Sequence, residues 1–241
     1  MGILKTITEE YFGDTVRKED EININIRGVV RKDFKDISGK RHKNGFYVSS
    51  GNKTTLQRLI VTIIEQCGSD CDLNCIDVSN VKDMSDLIRY IPVDFNCDIS
   101  HWNVSNVKNM SNMFFRVESF NKPIGDWDVS SVTNMNGMFY YAKSFNQPIG
   151  DWDVSNVKNM HSMFNDATSF NQPIGNWNVS NVTDISWMFN GAQSFCQSLD
   201  KWEVKSCPIY KTEYIFKDSP MRYNPPEWYK KMLELYHKKE G

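Results

Sequence analysis

Apolar residues recur along this chain with a period far longer than one turn of a helix or one pleat of a strand. From about residue 75 onward the order is Ile-x-x-Trp-x-Val, then Val-x-x-Met-x-x-Met-Phe, then Ser-Phe-Asn, and it returns every 25 residues. Trp102, Trp127, Trp152, Trp177 and Trp202 mark that period and are assigned to the structural core. Segments 119–135, 144–160 and 169–185 are near copies of one text, 94–110 is a weaker copy, and in 75–84 Ile76 takes the tryptophan position. A period in this range signals stacked supersecondary units. One unit cannot enclose its own apolar face. Neighbours can, by laying tryptophan on tryptophan, methionine on methionine and phenylalanine on phenylalanine. The predicted architecture is a repeat solenoid.

Within a coil, Ile124, Trp127 and Val129 predict a short parallel strand with Trp and Val facing the same way. Val132, Met135, Met138 and Phe139 follow at i, i+3, i+6 and i+7, the spacing of a helical or 3-10 turn on the core. Ser144-Phe145-Asn146 then reads as a turn, followed by a Pro and a Gly. The Ser-Asn pairs 79–80, 105–106, 155–156 and 180–181 predict a polar ladder tying turn backbones together, with Ser131 interrupting the Asn column.

An open stack needs caps. Thr54 to Cys67 carries a one-faced apolar pattern started by Asn52 or Thr54 and stopped by Gly68, which predicts a helix over the first coil. At the other end the repeat decays through Val204-Lys205-Ser206-Cys207, and Ile215-Phe216 restores the Met-Phe pair two residues late. Asn224-Pro225-Pro226 predicts a helix start with Pro at the first helical position, and Trp228, Met232, Leu235 and Tyr236 its apolar stripe. The expected division is 1–50, a possible small strand-containing cap; 51–74, capping helix and first strand entry; 75–203, repeat solenoid; 204–241, capping repeat and helix. In the first part Glu21–Ile26 alternates as a strand would, and Gly45–Val48 is its expected partner across the basic loop Arg31–Lys43.

The text Phe-Asn-Gln-Pro-Ile-Gly-Asp-Trp-Asp-Val-Ser-Asn-Val-x-Asn-Met-x-x-Met-Phe resembles the DUF285 branch of the BspA-like leucine-rich repeat group over about residues 70–220. The resemblance implies a right-handed, leucine-rich-repeat-like solenoid of the kind found in bacterial surface proteins and in some proteins of large DNA viruses. It implies adhesion or protein binding, and it carries no catalytic residues over to this chain. The Pro-Pro-Glu-Trp-Tyr stretch (225–229) is similar to the tail of many such proteins.

Composition narrows the functions. A net charge of -2 argues against a bulk polyanion binder, so no nucleic acid is expected. No run of about 18 apolar residues exists to span a membrane. The opening MGILKTITEEYFGDT does not read as a signal peptide, which favours the cytoplasm, a virion or a host cytosol, although Gly2 fits an acylation pattern. The six cysteines, at 67, 71, 75, 97, 196 and 207, are read as off the repeat register and reduced. His42, His101, His161 and His237 are read as surface residues that do not converge, and no nucleophile–base motif accompanies them. Asn103, Asp128, Asp153 and Asn178 form the expected outward strip and the candidate partner surface. Asp126, Asp128, Asp151 and Asp153 are weak candidates for a cation, Ca²⁺ by oxygen chemistry, against the plainer reading of turn-bonding or solvated carboxylates. No cofactor is expected. The leading expectation is a non-catalytic binding or scaffolding solenoid with a protein partner and oligomerisation left open. Alternatives are a virion or surface-layer component, or a docking arm for an activity in 1–50.

Overall fold

The computed structural model describes residues 26–49, 51–91, 94–212 and 214–240, with side chains as far as Glu234 in the last helix. The expected strand over Glu21–Ile26 and the acylation site at Gly2 lie outside the described residues, save Ile26 itself. Strands β1 (Val29–Lys35) and β2 (Arg41–Val48) form an antiparallel hairpin, and β2 pairs in parallel with the two-residue β3 (Ile76–Asp77) through Phe46↔Ile76. The partner of Gly45–Val48 is thus the stretch expected to be a basic loop. Its charges had masked the strand, yet charged side chains suit an edge strand. Lys32 meets Asp77 at 2.8 Å, Arg41 meets Asp33 at 2.7 Å, and Arg31 lies 3.8 Å from the centre of the Phe46 ring.

Helix α1 (Lys53–Cys67) follows, with the Asn52 side chain accepting from Thr54 N and Thr55 N and Gly68 at its end. Leu56, Leu59, Ile60, Ile63 and Ile64 are buried on one face. Farther along the stack, backbone amides of one coil donate to carbonyls of the next, as Ile88 N does to Met113 O. The first coil has no predecessor to serve its Leu87 carbonyl, and the Gln57 side-chain amide of α1 donates there instead, at 3.0 Å. The cap therefore supplies a hydrogen bond as well as apolar cover.

From residue 70 to 218 the 25-residue units lie one on the next. Parallel bridges join Asp83, Asn109, Asn134, Asn159 and Asp184 in succession. The pairing column is one residue wide and sits on the residue before Met, seven positions after the tryptophan. The strand expected at Ile-x-x-Trp-x-Val is absent from the coils that carry Trp. Trp127, Trp152, Trp177 and Trp202 each close a turn on the residue three before, and each indole N–H donates to the preceding coil's carbonyl at Ile99, Ile124, Ile149 and Ile174. Alternating burial there reflects these bonds, not pleating.

The Met-x-x-Met-Phe stretch is also not helical. Gly137, Phe139 and Tyr141 donate to His161, Met163 and Asn165 of the next coil, whereas Met138, Tyr140 and Ala142 close three-residue turns within their own. A helix would consume all these amides internally. Consecutive turns reproduce the i, i+3 spacing while freeing every second amide for the neighbour. The geometry needs left-handed backbone at Asp86, Asn112, Gly137, Ser162 and Trp187, one per coil, and again at Arg116, Tyr141, Asp166 and Gly191. Left-handed L-residues cost about 1–2 kcal/mol each, so the cross-coil bonds hold strain in place.

Aromatic columns fill the interior. Phe114, Phe139, Phe164, Phe189 and Phe216 stack at 5.5–5.9 Å with nearly parallel rings. The Ser-Asn ladder runs from side-chain amide to main chain: Asn106, Asn156 and Asn181 donate to the carbonyls of Ser79, Ser130 and Ser155. A second ladder runs alongside: Asn146 N, Asn171 N and Cys196 N donate to the side-chain oxygens of Asn121, Asn146 and Asn171. Ile215 and Phe216 accept the register of a last coil, and α2 (Glu227–Glu240) follows Pro226, whose carbonyl accepts from Lys230 N, so the proline precedes the first helical residue. Trp228 of α2 donates to Leu199 O at 3.0 Å and stacks 6.5 Å from Trp202. The cap thereby fills the next place in the tryptophan column. Leu235 and Tyr236, expected in the same stripe, have side chains outside the described residues.

Candidate functional site

The strip expected to meet a partner does face outward, between buried Trp and Val residues. Each member is engaged with its own turn. Asn103, Asp128, Asp153 and Asn178 accept from the backbone amide two residues on, at 3.0–3.2 Å. These are Asx turns, and the bonds from Ser155 hold the Asp153 carboxyl below its ordinary 3.8. Asp126 and Asp151 are exposed beside them. Among the described residues no group of three or more His, Cys, Asp or Glu is placed to hold a metal ion.

The coils differ from one another elsewhere. Directly after the Met-Phe pair, or Leu87-Ile88 in the first coil, stand two variable positions: Arg89-Tyr90, Phe115-Arg116, Tyr140-Tyr141, Asn165-Asp166 and Asn190-Gly191, of which Asn165 and Gly191 are buried. In the first three coils they form an edge of rings and cations. Phe115 stacks on Tyr140 at 4.7 Å, Arg89 covers Phe115 at 4.0 Å, and Lys143 lies 4.5 Å from the Tyr141 ring while pairing with Glu118 at 3.0 Å. The Glu118 contact raises the Lys143 pKa. Arg116 is exposed over the same rings, and Tyr90 is 68% exposed. A smaller patch of Trp187, Tyr214 and Lys217 stands near the other end of the stack. This edge lies at positions that do not repeat. The signal was its failure to repeat.

The histidines converge more than the sequence reading allowed. His42 is buried, with Nε2 2.8 Å from Asp36 Oδ2, both side chains 1% exposed; His101 Nδ1 approaches the same oxygen at 3.5 Å. His42 lies outside the repeats, so register comparison had no hold on it. Burial opposes the Asp36 charge, but hydrogen bonds from Ser38, His42 and Lys40 N outweigh it and hold the carboxyl below 3.8. Beside this group a cleft of about 140 Å³ opens between hairpin and coils, lined by Lys35, Asp36, Asp77, Ser79, His101 and Asn103. Asp77 is held low in the same way: burial opposes, and Lys32 and Ser79 prevail. His161 instead bonds Ser186 Oγ at 2.7 Å, and burial lowers its pKa. The side chain of His237 lies outside the described residues.

The cysteines also need correction. Cys71 and Cys97 stand 26 residues apart in one column of adjacent coils, with sulfurs 3.4 Å from each other. That contact and burial push the Cys71 thiol pKa up.

The family described as "Mycoplasma protein of unknown function, DUF285" matches residues 60–154 and again 123–228, together more than half of the chain. The chain belongs to the DUF285 family. No curated protein and no solved structure matches it. The matched residues of this DUF285 protein begin within α1, take in every coil and end at Trp228, the last member of the tryptophan column. The β1–β2 hairpin lies outside the match. Among the described residues no helix is long and apolar enough to cross a membrane.

Proposed function

We propose that this DUF285 protein is a leucine-rich-repeat-like solenoid that binds a protein partner without catalysis, and that the partner seats on the edge formed by Arg89, Tyr90, Phe115, Arg116, Tyr140 and Tyr141. The observation behind this reading is where the near-identical coils part company. Residues that build the stack are repeated because every coil must meet the same neighbour. Specificity for an outside molecule has to sit where coils differ, and there the chain carries Tyr, Phe and Arg. Tyr and Arg are among the types that dominate measured binding energies. The outward Asn and Asp strip is a weaker seat, since its side chains already serve turns.

Photocrosslinking decides between the two faces. A photoreactive amino acid is placed at Tyr90 or Tyr141 on the edge, and at Asp128 or Asp153 on the strip. The expected result is adducts with one protein from the edge positions only, and loss of that protein's affinity by about tenfold or more in Arg116→Glu. Adducts from the strip alone, or from neither face, refute the assignment.

A further inference from the structure

The column that holds Cys71 and Cys97 carries Lys122, Gln147, Gln172 and Gln197 in later coils. The three glutamines donate to the preceding coil's asparagine, carbonyl and side-chain oxygen alike, at 2.8–3.1 Å. Only in the first two coils is a long polar side chain exchanged for a thiol, and it happens in both. The result is a sulfur pair at 3.4 Å, 4% and 0% exposed. The flanking backbone is already clamped: Asp98 N donates to Cys71 O and Leu73 N to Asp98 O, each at 2.8 Å, around the bridge Asp72↔Asp98. Bridged strands run about 4.8 Å apart, inside the 4.4–6.8 Å that disulfide-bonded Cα atoms occupy. Neither backbone has to move far for the sulfurs to join.

We propose that Cys71 and Cys97 are an oxidative modification site and close an intrachain disulfide that locks the first coil to the second. The chemistry is thiol–disulfide exchange with a small disulfide such as glutathione disulfide. One cysteine thiolate attacks it, forms a mixed disulfide and releases a glutathione thiolate. The second cysteine then displaces the other glutathione. Two S–H bonds are lost, one protein S–S bond forms, and the two electrons and two protons leave on two molecules of glutathione. The thiols are buried, so exchange occurs while the end of the stack is open, and reclosure delivers one sulfur to the other. The first coil is held on its other side by α1 and the hairpin, so this opening is a local one in which the cap lifts with it. The site is independent of the aromatic edge.

The test uses the full chain, incubated with glutathione disulfide and then alkylated. The expected product is a monomer lighter by about 2 Da before alkylation, two hydrogens, with Cys97 protected from the alkylating agent. Trypsin leaves Cys67, Cys71 and Cys75 on one peptide, 59–82, and Cys97 on another, 90–108, so fragmentation of the linked pair must place the bond on Cys71. Amide exchange across 69–100 should slow by about tenfold or more in the oxidised form, and Cys71→Ala should abolish both the link and the slowing. A Cys97 that remains open to alkylation, or that links to Cys67, Cys75 or the exposed Cys196, overturns the proposal. The wild-type map decides this even if a variant fails to fold.

Discussion

Replacing Trp152 by alanine removes an indole that is 4% exposed, packs 6.4 Å from Trp177 and from Phe139, and donates to Ile124 O at 3.1 Å. A tryptophan buries roughly 200 Å², worth about 5 kcal/mol at 25 cal/mol per Å². An extended unfolded chain overstates that burial, which trims the figure to roughly 3–4 kcal/mol. Losing the hydrogen bond adds about 1 kcal/mol. The expected cost is therefore about 4–5 kcal/mol, at the upper end for large-to-small core changes. Trp152→Phe separates the parts: most ring area stays, Ile124 O loses its donor, and the cost should be about 1–2 kcal/mol. Urea titration of both variants and the parent, followed by fluorescence and far-ultraviolet dichroism together, gives the values if the two probes coincide. Trp102, 1% exposed and bonded to Leu73 O at 2.9 Å, should cost nearly as much. An alanine variant at 152 within about 1 kcal/mol of the parent would mean that the column is not packed between coils.

Three further outcomes are expected. Gly150→Ala drives a Cβ into the Pro173 carbonyl of the next coil, and should lower the urea midpoint by the equivalent of about 1–3 kcal/mol. Asp36→Ala removes the carboxylate that Ser38, Lys40 N and His42 all bond in a buried site, and should cost about 3 kcal/mol. The parent's own Asp36 contribution has a defined pH sign: its folded pKa lies below 3.8, so the unfolded chain takes up the proton first, and stability present above about pH 5 drains away as pH falls through the lowered value. Urea midpoints from pH 7 to 3 that fall equally in Asp36→Ala and the parent would contradict this. Gln57→Ala leaves Leu87 O without its cap donor and should cost about 1 kcal/mol, with faster amide exchange confined to the first coil and α1.

The period, the tryptophan column and α1 with its Asn52 cap were legible because each rests on a residue type whose physics is nearly independent of context. The placement of the bridge was not. Burial alternates around Trp127 as it would in a strand, and only the destination of each amide separates pleat from turn. The helical reading of Val132 to Phe139 failed for a related reason, since consecutive three-residue turns and a helix share their apolar spacing. Trp228 could have been found: it stands 26 residues after Trp202 and continues the count, but the helix pattern around it took precedence. The Asp36–His42 pair was beyond reach, because repeat comparison says nothing about a hairpin that occurs once. The aromatic edge was visible only by subtracting one coil from the next.

The second polar ladder, in which Asn146, Asn171 and Cys196 each lean on the residue one repeat earlier, makes the molecule indifferent to its own length. No rung reaches past its neighbour, so none records how many rungs there are. Excising a whole unit in phase, such as 144–168, would join Lys143 to Ser169 and leave the same text on both sides of the seam. A gene built this way can gain or shed coils by unequal recombination while both end-pieces still find a surface they fit. Reach and the number of edge positions would then vary without a new fold having to be found.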